Sequence, residues 1–175
     1  EGGASVAAMA IPWAISLSTL GRHPEAVEVL MPVHQKRAKD FALANTLGVM
    51  LKRAGRLNEA VAPLELARKL EPRNASPCQN LGNVQELRGD FAAAAAAFGA
   101  GLKIDPRNAE MWRLYGRMQR ALGDTDGSIG SFEKSLALDP RNKDVAVILN
   151  GLLLDRGEFD RADAAIAKSR AALPD

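Results

Sequence analysis

Apolar and small residues recur along the chain at the spacing of one face of an α-helix. They fill the fourth, seventh, eighth and eleventh places of a segment, and the pattern returns every 34 residues. A second run follows in each segment, in which a small residue such as Ala60 precedes a large one such as Leu64 by four positions. No stretch alternates apolar and polar residues in the way that predicts a strand. The pattern therefore indicates an all-α chain built from pairs of antiparallel helices.

Glycine, proline and polar residues keep the same period and mark the ends of these helices. A glycine can close the first helix in the left-handed conformation. The residue before a proline is pushed out of the helical region, which ends the second helix. An Asp or Asn two places further on can cap the next helix. The glycines are Gly21, Gly55, Gly89, Gly123 and Gly157, the prolines Pro72, Pro106, Pro140 and Pro174, and the capping candidates Asp40, Asn74, Asn108 and Asn142.

The period divides the chain into five units without insertions, and one of them carries a known pattern in full. Residues 109–142 contain Trp112-Arg113-Leu114-Tyr115-Gly116, then Gly123, Phe132 and Pro140, and in this they resemble the tetratricopeptide repeat. The resemblance covers 7–175 and implies a right-handed α-α superhelix of about ten helices, whose first helices line a concave groove. The predicted organisation is an N-terminal extension 1–6 followed by units 7–40, 41–74, 75–108, 109–142 and 143–175.

Several residues depart from the repeat. Pro12 lies inside the first helix, which we expect to be short or bent, while Pro32 and Pro63 should kink second helices. Gly127 and Gly130 should weaken the second helix of the fourth unit by about 1 kcal/mol each relative to alanine.

The eighth place of a unit is normally small. Gly48, Gly82 and Gly116 occupy it, and they should let paired helices approach each other near the alanine or serine of the twentieth place. Asn150 occupies the same place in the last unit, where we expect a local adjustment.

The residue inventory gives no sign of catalysis. His23 and His34 are eleven residues apart on one predicted helix, about 16 Å, and cannot share a metal ion. Cys78 falls at a core-facing place, which favours a buried small hydrophobe over a nucleophile. No glycine-rich phosphate loop follows a strand. We therefore predict no enzyme activity, cofactor or metal site, and the lone cysteine leaves both cytoplasm and periplasm open.

Charge and hydropathy restrict the partners further. The formal net charge is +2, which argues against nucleic acid and against an RNA-binding repeat. The uncharged stretch 2–21 is interpreted as a buried first helix, with a membrane span or signal segment as the less favoured alternative.

If first helices line the groove, their second, fifth, ninth and twelfth places face the ligand. The groove should then be apolar at one end, rich in amides in the middle and basic beyond. The candidate binding residues are Asn45, Val49, Lys52, Gln79, Asn80, Asn83, Arg113, Arg117, Arg120, Val147 and Leu154.

Two groups among these suggest a chemistry of binding. Arg113, Arg117 and Arg120 share one helical face, where they would either contact an acidic partner or form a solvated face partly neutralised by Glu110. The amides could grip a peptide backbone or be ordinary surface residues. The string Asn80-Leu81-Gly82-Asn83 is similar to units in superhelical arms of glycosyltransferases.

The function predicted from this reasoning is a non-catalytic scaffold that binds a segment of a partner protein. The alanine-rich and arginine-rich composition suggests a bacterial source and hence an assembly or secretion complex, while the alternative is the substrate-recruiting arm of a larger enzyme such as a glycosyltransferase. We also expect an uncapped apolar flank at the C-terminal end that could support self-association. Its residues are Leu152, Leu153, Ile166 and Leu173.

Overall fold

The computed structural model describes residues 2–171, without the side chains of residues 2–8 and of residue 169. This part of the chain consists of ten α-helices and contains no strand, as the sequence predicts. The helices are α1 (Gly2–Thr19), α2 (His23–Lys36), α3 (Phe41–Arg53), α4 (Leu57–Leu70), α5 (Ser76–Leu87), α6 (Phe91–Ile104), α7 (Ala109–Ala121), α8 (Thr125–Leu138), α9 (Lys143–Asp155) and α10 (Phe159–Ala171).

The helices form two compact bodies. The first body, Glu1–Gly89, holds α1 to α5, and the second, Asp90–Asp175, holds α6 to α10. Within each body every helix packs against the next one in the chain, and in the first body α3 also contacts α1 and α5. The repeat-unit boundaries given above remain a prediction.

All five periodic glycines adopt the left-handed conformation, with φ between 73° and 82°. The turn after Gly21 has the hydrogen bonds of a Schellman motif, because Arg22 N donates to Leu17 O at 2.9 Å. The same bond, also at 2.9 Å, follows Gly55, Gly123 and Gly157. The prediction that these glycines end the first helices is confirmed.

Three of the four predicted caps are present. The side chains of Asp40, Asn108 and Asn142 accept hydrogen bonds from the third residue of the helix that follows, at 2.8–3.1 Å. The prediction for Asn74 is wrong, since its Oδ1 accepts from Ser76 N instead and α5 begins only at Ser76, without a side-chain cap.

The helices run through their internal prolines. The first helix was expected to be short or bent; it is not short, because α1 extends over 18 residues and continues well past Pro12, and the bend remains a prediction. Helices α2 and α4 contain Pro32 and Pro63 and have 14 residues each, the same length as α6 and α8, which have no internal proline. Burial of neighbouring residues, such as Ala10 and Ala14 around Pro12, offsets the missing hydrogen bond. No described helix is long and apolar enough to cross a membrane.

Glycines at the eighth place do allow the two helices of a pair to approach each other closely. The side chain that lies close to Gly48 and to Gly116 is the large one of the twenty-fourth place, whereas the sequence predicted the small one of the twentieth place. A Cβ atom on Gly48 would lie 2.4 Å from Cγ of the fully buried Leu64, at the twenty-fourth place. A Cβ on Gly116 would lie 3.1 Å from Ser131 Cβ and 3.2 Å from the ring of Phe132. The large side chain of the second helix, rather than its small residue, therefore fills the space that the glycine leaves.

Gly127 and Asn150 depart from the repeat in the second body, and the structure shows the surroundings of each. Gly127 lies in the first turn of α8 and donates its N–H to Asp124 Oδ1 at 2.9 Å, and a Cβ there would collide with Asp124 and Gln119. It therefore makes room for the cap rather than weakening a full-length helix. Asn150 Oδ1 is buried and has no hydrogen-bond partner among the described residues. The adjustment expected there remains a prediction.

Of the residues predicted to form a bare apolar flank at the C-terminal end, those that the structure describes are buried or half-buried. Leu153 is 1% exposed because it packs with Phe132 and Leu149 in the core of the second body, and Leu152 packs against the same cluster. Ile166 is half-buried, and Leu173 lies outside the described residues. The prediction of a bare apolar end is therefore wrong for Leu153, and α10 instead exposes charged residues such as Asp163 and Arg170.

Substitution of Gly48 by alanine tests the close approach of α3 and α4. We expect Gly48→Ala to lower the free energy of unfolding by about 1–2 kcal/mol, because the new Cβ forces the buried Leu64 to move. Gly130→Ala is the matched control, since a Cβ there meets no atom within 4 Å; it should stabilise by about 0.5–1 kcal/mol. Thermal and urea unfolding measure both, and equal stabilisation by the two substitutions would contradict this packing.

Candidate functional site

The two histidines and the cysteine are the side chains most often used in catalysis, and each lies in a helix or at a helix end. His23 begins α2, with Nδ1 3.1 Å from Ser18 Oγ. His34 lies near the end of the same helix, and burial lowers its pKa. Cys78 is buried, as its core-facing place predicts, and burial raises the pKa of its thiol. Among the described residues no three His, Cys, Asp or Glu side chains are grouped to hold a metal ion.

In the first body, the candidate amides lie on α3 and α5, which contact each other. Asn45, Gln79, Asn80 and Asn83 are all half-buried. Asn80 Nδ2 donates to Asn45 Oδ1 at 3.0 Å. This bond uses one donor of Asn80 and an acceptor of Asn45, so the pair still offers the Asn45 NH₂ group as a donor and Asn80 Oδ1 as an acceptor.

Lys52 is the most unusual charge of the first body. It lies on α3, three residues after Val49 and seven after Asn45, and it is half-buried. Burial lowers the pKa of its ammonium, and the neighbouring charge of Arg53 lowers it further. No carboxylate among the described residues forms an ion pair with it. The first body therefore holds a partly desolvated cation without a local counter-charge.

In the second body, the three candidate arginines follow one face of α7. Arg113 forms a two-pronged ion pair with Glu110, with Nε to Oε2 at 2.7 Å and a terminal nitrogen to Oε1 at 2.5 Å. Arg117 is half-buried and Arg120 is exposed. Glu110 thus neutralises the charge of Arg113, which agrees with the partial neutralisation that the alternative interpretation of this stripe expected.

Aromatic contacts fix the side of α7 next to the arginines. Trp112 Nε1 donates to Pro106 O at 2.9 Å, and the indole ring meets Tyr115 edge-on with ring centroids 6.2 Å apart. Lys134 of α8 places its Nζ 4.2 Å from the centre of the Trp112 ring. These contacts position the helix that carries the arginines.

The apolar candidates on α9 are open to solvent. Val147 is 72% exposed and Leu154, two helical turns later, is 44% exposed. They lie on the side opposite the buried Leu149 and Leu153. The structure thus brings the predicted residues together within individual helices and, for Asn45 and Asn80, between two helices.

A surface groove between α1 and α2 escaped the sequence reasoning. It is lined by Trp13, Leu17 and Val29 and edged by Glu25 and Glu28. It was missed because α1 was expected to be buried, whereas Met9, Trp13 and Leu20 are exposed. The signal that could have found it is the number of apolar residues on α1, since Ala10, Ala14 and Leu17 already supply a buried face and leave Met9, Trp13 and Leu20 over.

These features define a helical repeat scaffold, a class of protein that presents the surfaces of stacked helices to other proteins. The profile of the tetratricopeptide repeat family matches residues 80–143. The resemblance drawn from the sequence is thus confirmed for this part of the chain, and the paired helices of the described residues agree with it.

Solved structures of similar fold carry the name MamA. A crystal structure of MamA protein has a TM-score of 0.83 at 17% identity, with 95% of this chain and 91% of that chain covered. MamA 41-end from Desulfovibrio magneticus RS-1 has a TM-score of 0.80 at 18% identity, covering 95% and 94%. MamA MSR-1 has a TM-score of 0.74 at 23% identity, covering 94% and 95%. At these identities the likeness shows the fold, and no curated protein matches the sequence.

Replacement of Lys52 by methionine tests the desolvated cation. Because folding lowers the pKa of Lys52, the folded state gains stability as pH rises towards the ordinary lysine pKa of about 10.4. We expect Lys52→Met to raise the free energy of unfolding at pH 7 by about 0.5 kcal/mol, a small value because water still reaches the ammonium. The difference from wild type should shrink by pH 11. Lys69→Met, at an exposed site on α4, is the control; a loss of stability larger than in this control would contradict the assignment.

Proposed function

We propose that the chain is a non-catalytic scaffold that binds an acidic segment of a partner protein through the first helices of its repeats. The observation that carries this proposal is Lys52, whose half-buried ammonium has its pKa lowered by burial and by Arg53. A carboxylate of a bound partner would restore favourable electrostatics there and raise that pKa again. Binding would therefore recover free energy that the isolated protein loses by burying this charge.

The arginines of α7 support the same partner chemistry in the second body. Three guanidinium groups on one helical face repel one another, and Glu110 forms an ion pair with Arg113 of this group. Guanidinium groups bind carboxylates in a two-pronged geometry. Arg120 in particular is exposed on α7 and available to an acidic side chain.

The amide pair of the first body supports recognition of an extended backbone. The unused donor of Asn45 and the unused acceptor of Asn80 match the carbonyl and the N–H of a peptide group. Because the bond between the two amides fixes their orientation, the pair is preorganised for such a contact. The acidic side chains of the segment would then supply the charge and its backbone the directional hydrogen bonds.

The partner we propose belongs to a bacterial assembly or secretion complex. The amide pair also favours the alternative of a substrate-recruiting arm on a larger enzyme such as a glycosyltransferase, since such an arm has to hold peptides of varied sequence by their backbone. The two proposed functions differ in how strongly partner binding depends on charge. An assembly partner bound through Lys52 and the α7 arginines should be salt-sensitive, whereas backbone gripping should not.

Substitution of the α7 arginines tests the acidic partner. The probe is a fluorescein-labelled peptide of about twelve residues that alternates Glu and Ala, with a Gln-Ala peptide as its neutral counterpart. We expect Arg113→Ala with Arg117→Ala to weaken binding of the acidic peptide about fivefold or more at low salt, and to flatten its salt dependence. Fluorescence anisotropy between 50 and 300 mM NaCl measures both.

The matched control for this test is Arg107→Ala, which removes an exposed arginine just before α7. It should leave the affinity within about twofold of wild type. Unchanged affinity in the double variant, or equal binding of the Gln-Ala peptide by wild type, would rule out an acidic segment at α7.

Removal of the amide pair separates backbone recognition from charge. We expect Asn80→Ala to weaken the binding of both peptides by about three- to tenfold at every salt concentration. The substitution removes a neutral hydrogen bond and releases Asn45 from its fixed orientation. Asn58→Ala, at an exposed position of α4, should have no effect. If only the acidic peptide responds to Asn80→Ala, the amides do not grip the backbone.

A further inference from the structure

Helices α8 and α10 of the second body enclose a surface groove of about 560 Å³. This volume lies within the range of about 300–1,000 Å³ that is typical of ligand pockets. Leu149 of α9 forms the floor, and the walls combine small residues with charged ones. The groove is a feature of the contact between two neighbouring helix pairs rather than of an end of the chain. Its small residues are Gly130, Ala137, Ala164 and Ala165.

The preceding helix pair shows what occupies the equivalent space when the chain fills it by itself. Tyr115 of α7 lies one period before Leu149, and its ring reaches α6, where a Cβ atom on Gly99 would be 3.6 Å from Tyr115 Cε2. The residue one period after Gly99 is Glu133, which lines the groove. Leucine has no ring, so the aromatic contact between α7 and α6 has no counterpart between α9 and α8.

A second aromatic ring is missing from the same place. In the preceding pair Trp112 meets Tyr115 edge-on, and Lys134 places its Nζ 4.2 Å from the centre of the Trp112 ring. One period later the tryptophan is replaced by Ala146, whereas the lysine is kept as Lys168. Lys168 lines the groove. The groove thus retains the cation of a cation–π contact and lacks the ring.

The charges of the walls favour an acidic ligand. Glu133 is the only carboxylate that lines the groove among the described residues, and it is paired with Arg161 at 2.6 Å. Lys134 and Lys168 lie on opposite walls, and neither forms an ion pair with a carboxylate in the described part of the chain. Two carboxylates, one on each side of a central ring, fit this arrangement better than the single carboxylate of a small aromatic acid. A peptide segment can supply all three groups.

We propose that the groove between α8 and α10 binds a tryptophan side chain of a partner protein, with acidic residues on both sides of it in the partner's sequence. The indole packs on Leu149 between the small walls and under Lys168, where the chain uses Trp112 and Tyr115 one period earlier. Aromatic side chains held in such pockets carry much of the binding energy of protein interfaces. The groove lies on second helices and does not depend on the acidic-segment site of the first helices.

Fluorescence anisotropy on the full chain with three fluorescein-labelled peptides tests the proposal. The first peptide has a central Trp between two Asp residues and Ala elsewhere. The second replaces Trp by cyclohexylalanine, which keeps an apolar ring but has no π electrons, and the third replaces both Asp residues by Asn. We expect wild type to bind the first peptide about fivefold or more tightly than either of the others.

Two variants place the binding in the groove. Ala164→Phe fills the groove from its own wall and should weaken binding of the first peptide about fivefold or more. Lys168→Gln should reduce the preference for Trp over cyclohexylalanine and for Asp over Asn. Because Ala164 and Lys168 are both exposed, thermal melting should show both variants folded.

Matched controls change the same residue types elsewhere. Ala62→Phe alters an exposed alanine three periods before Ala164, and Lys103→Gln alters an exposed lysine in the last turn of α6. Both should bind the first peptide within about twofold of wild type. Arg113→Ala with Arg117→Ala should do the same, which separates this groove from the acidic-segment site.

Four results would overturn the proposal. Equal binding of the Trp and cyclohexylalanine peptides would exclude an aromatic site, and unchanged affinity in Ala164→Phe would exclude the groove. Indole-3-propionate that binds as tightly as the peptide would indicate a site for small aromatic acids. Weakening by the double variant of α7 alone would place the peptide on the first helices, in which case this proposal fails and the acidic-segment site stands.

Discussion

The left-handed turn that ends each first helix is the constraint on which the rest of the structure depends. A residue with a Cβ would be strained at a φ near +75°, so glycine is needed at each of these positions. The turn is so short that every second helix begins two residues after its glycine, as α2 does at His23 after Gly21 and α8 at Thr125 after Gly123. With the start of the second helix fixed, the faces of both helices are fixed as well. The large residue at the twenty-fourth place then points at the small eighth place, as Leu64 does at Gly48 and Phe132 at Gly116.

Features that follow from backbone chemistry could be predicted from the sequence, and features that depend on the reach of side chains could not. The helix ends at the glycines and the caps at Asp40, Asn108 and Asn142 rest on local φ and hydrogen-bonding preferences. Asn74 fails as a cap because α5 starts late, at a Ser-Pro pair that no periodic rule anticipates. The hydrogen bond from Asn80 to Asn45 joins residues 35 positions apart, one more than the period. It can be recognised only once the packing of α3 on α5 is known, and the same is true of the burial of Leu153.

The candidate binding residues can vary because the turn chemistry leaves them free. Exposed places on the first helices do not contribute to the glycine turns or to the packing of Leu64 and Phe132. They can therefore hold residues that do not favour stability, such as the partly desolvated Lys52 and the three arginines of α7. Their placement on the first helices was predictable from the period, whereas the pairing of Glu110 with Arg113 and the exposure of Val147 had to come from the structure. Departures from the repeat at these places concern recognition, whereas a departure at the eighth or twenty-fourth place would affect folding.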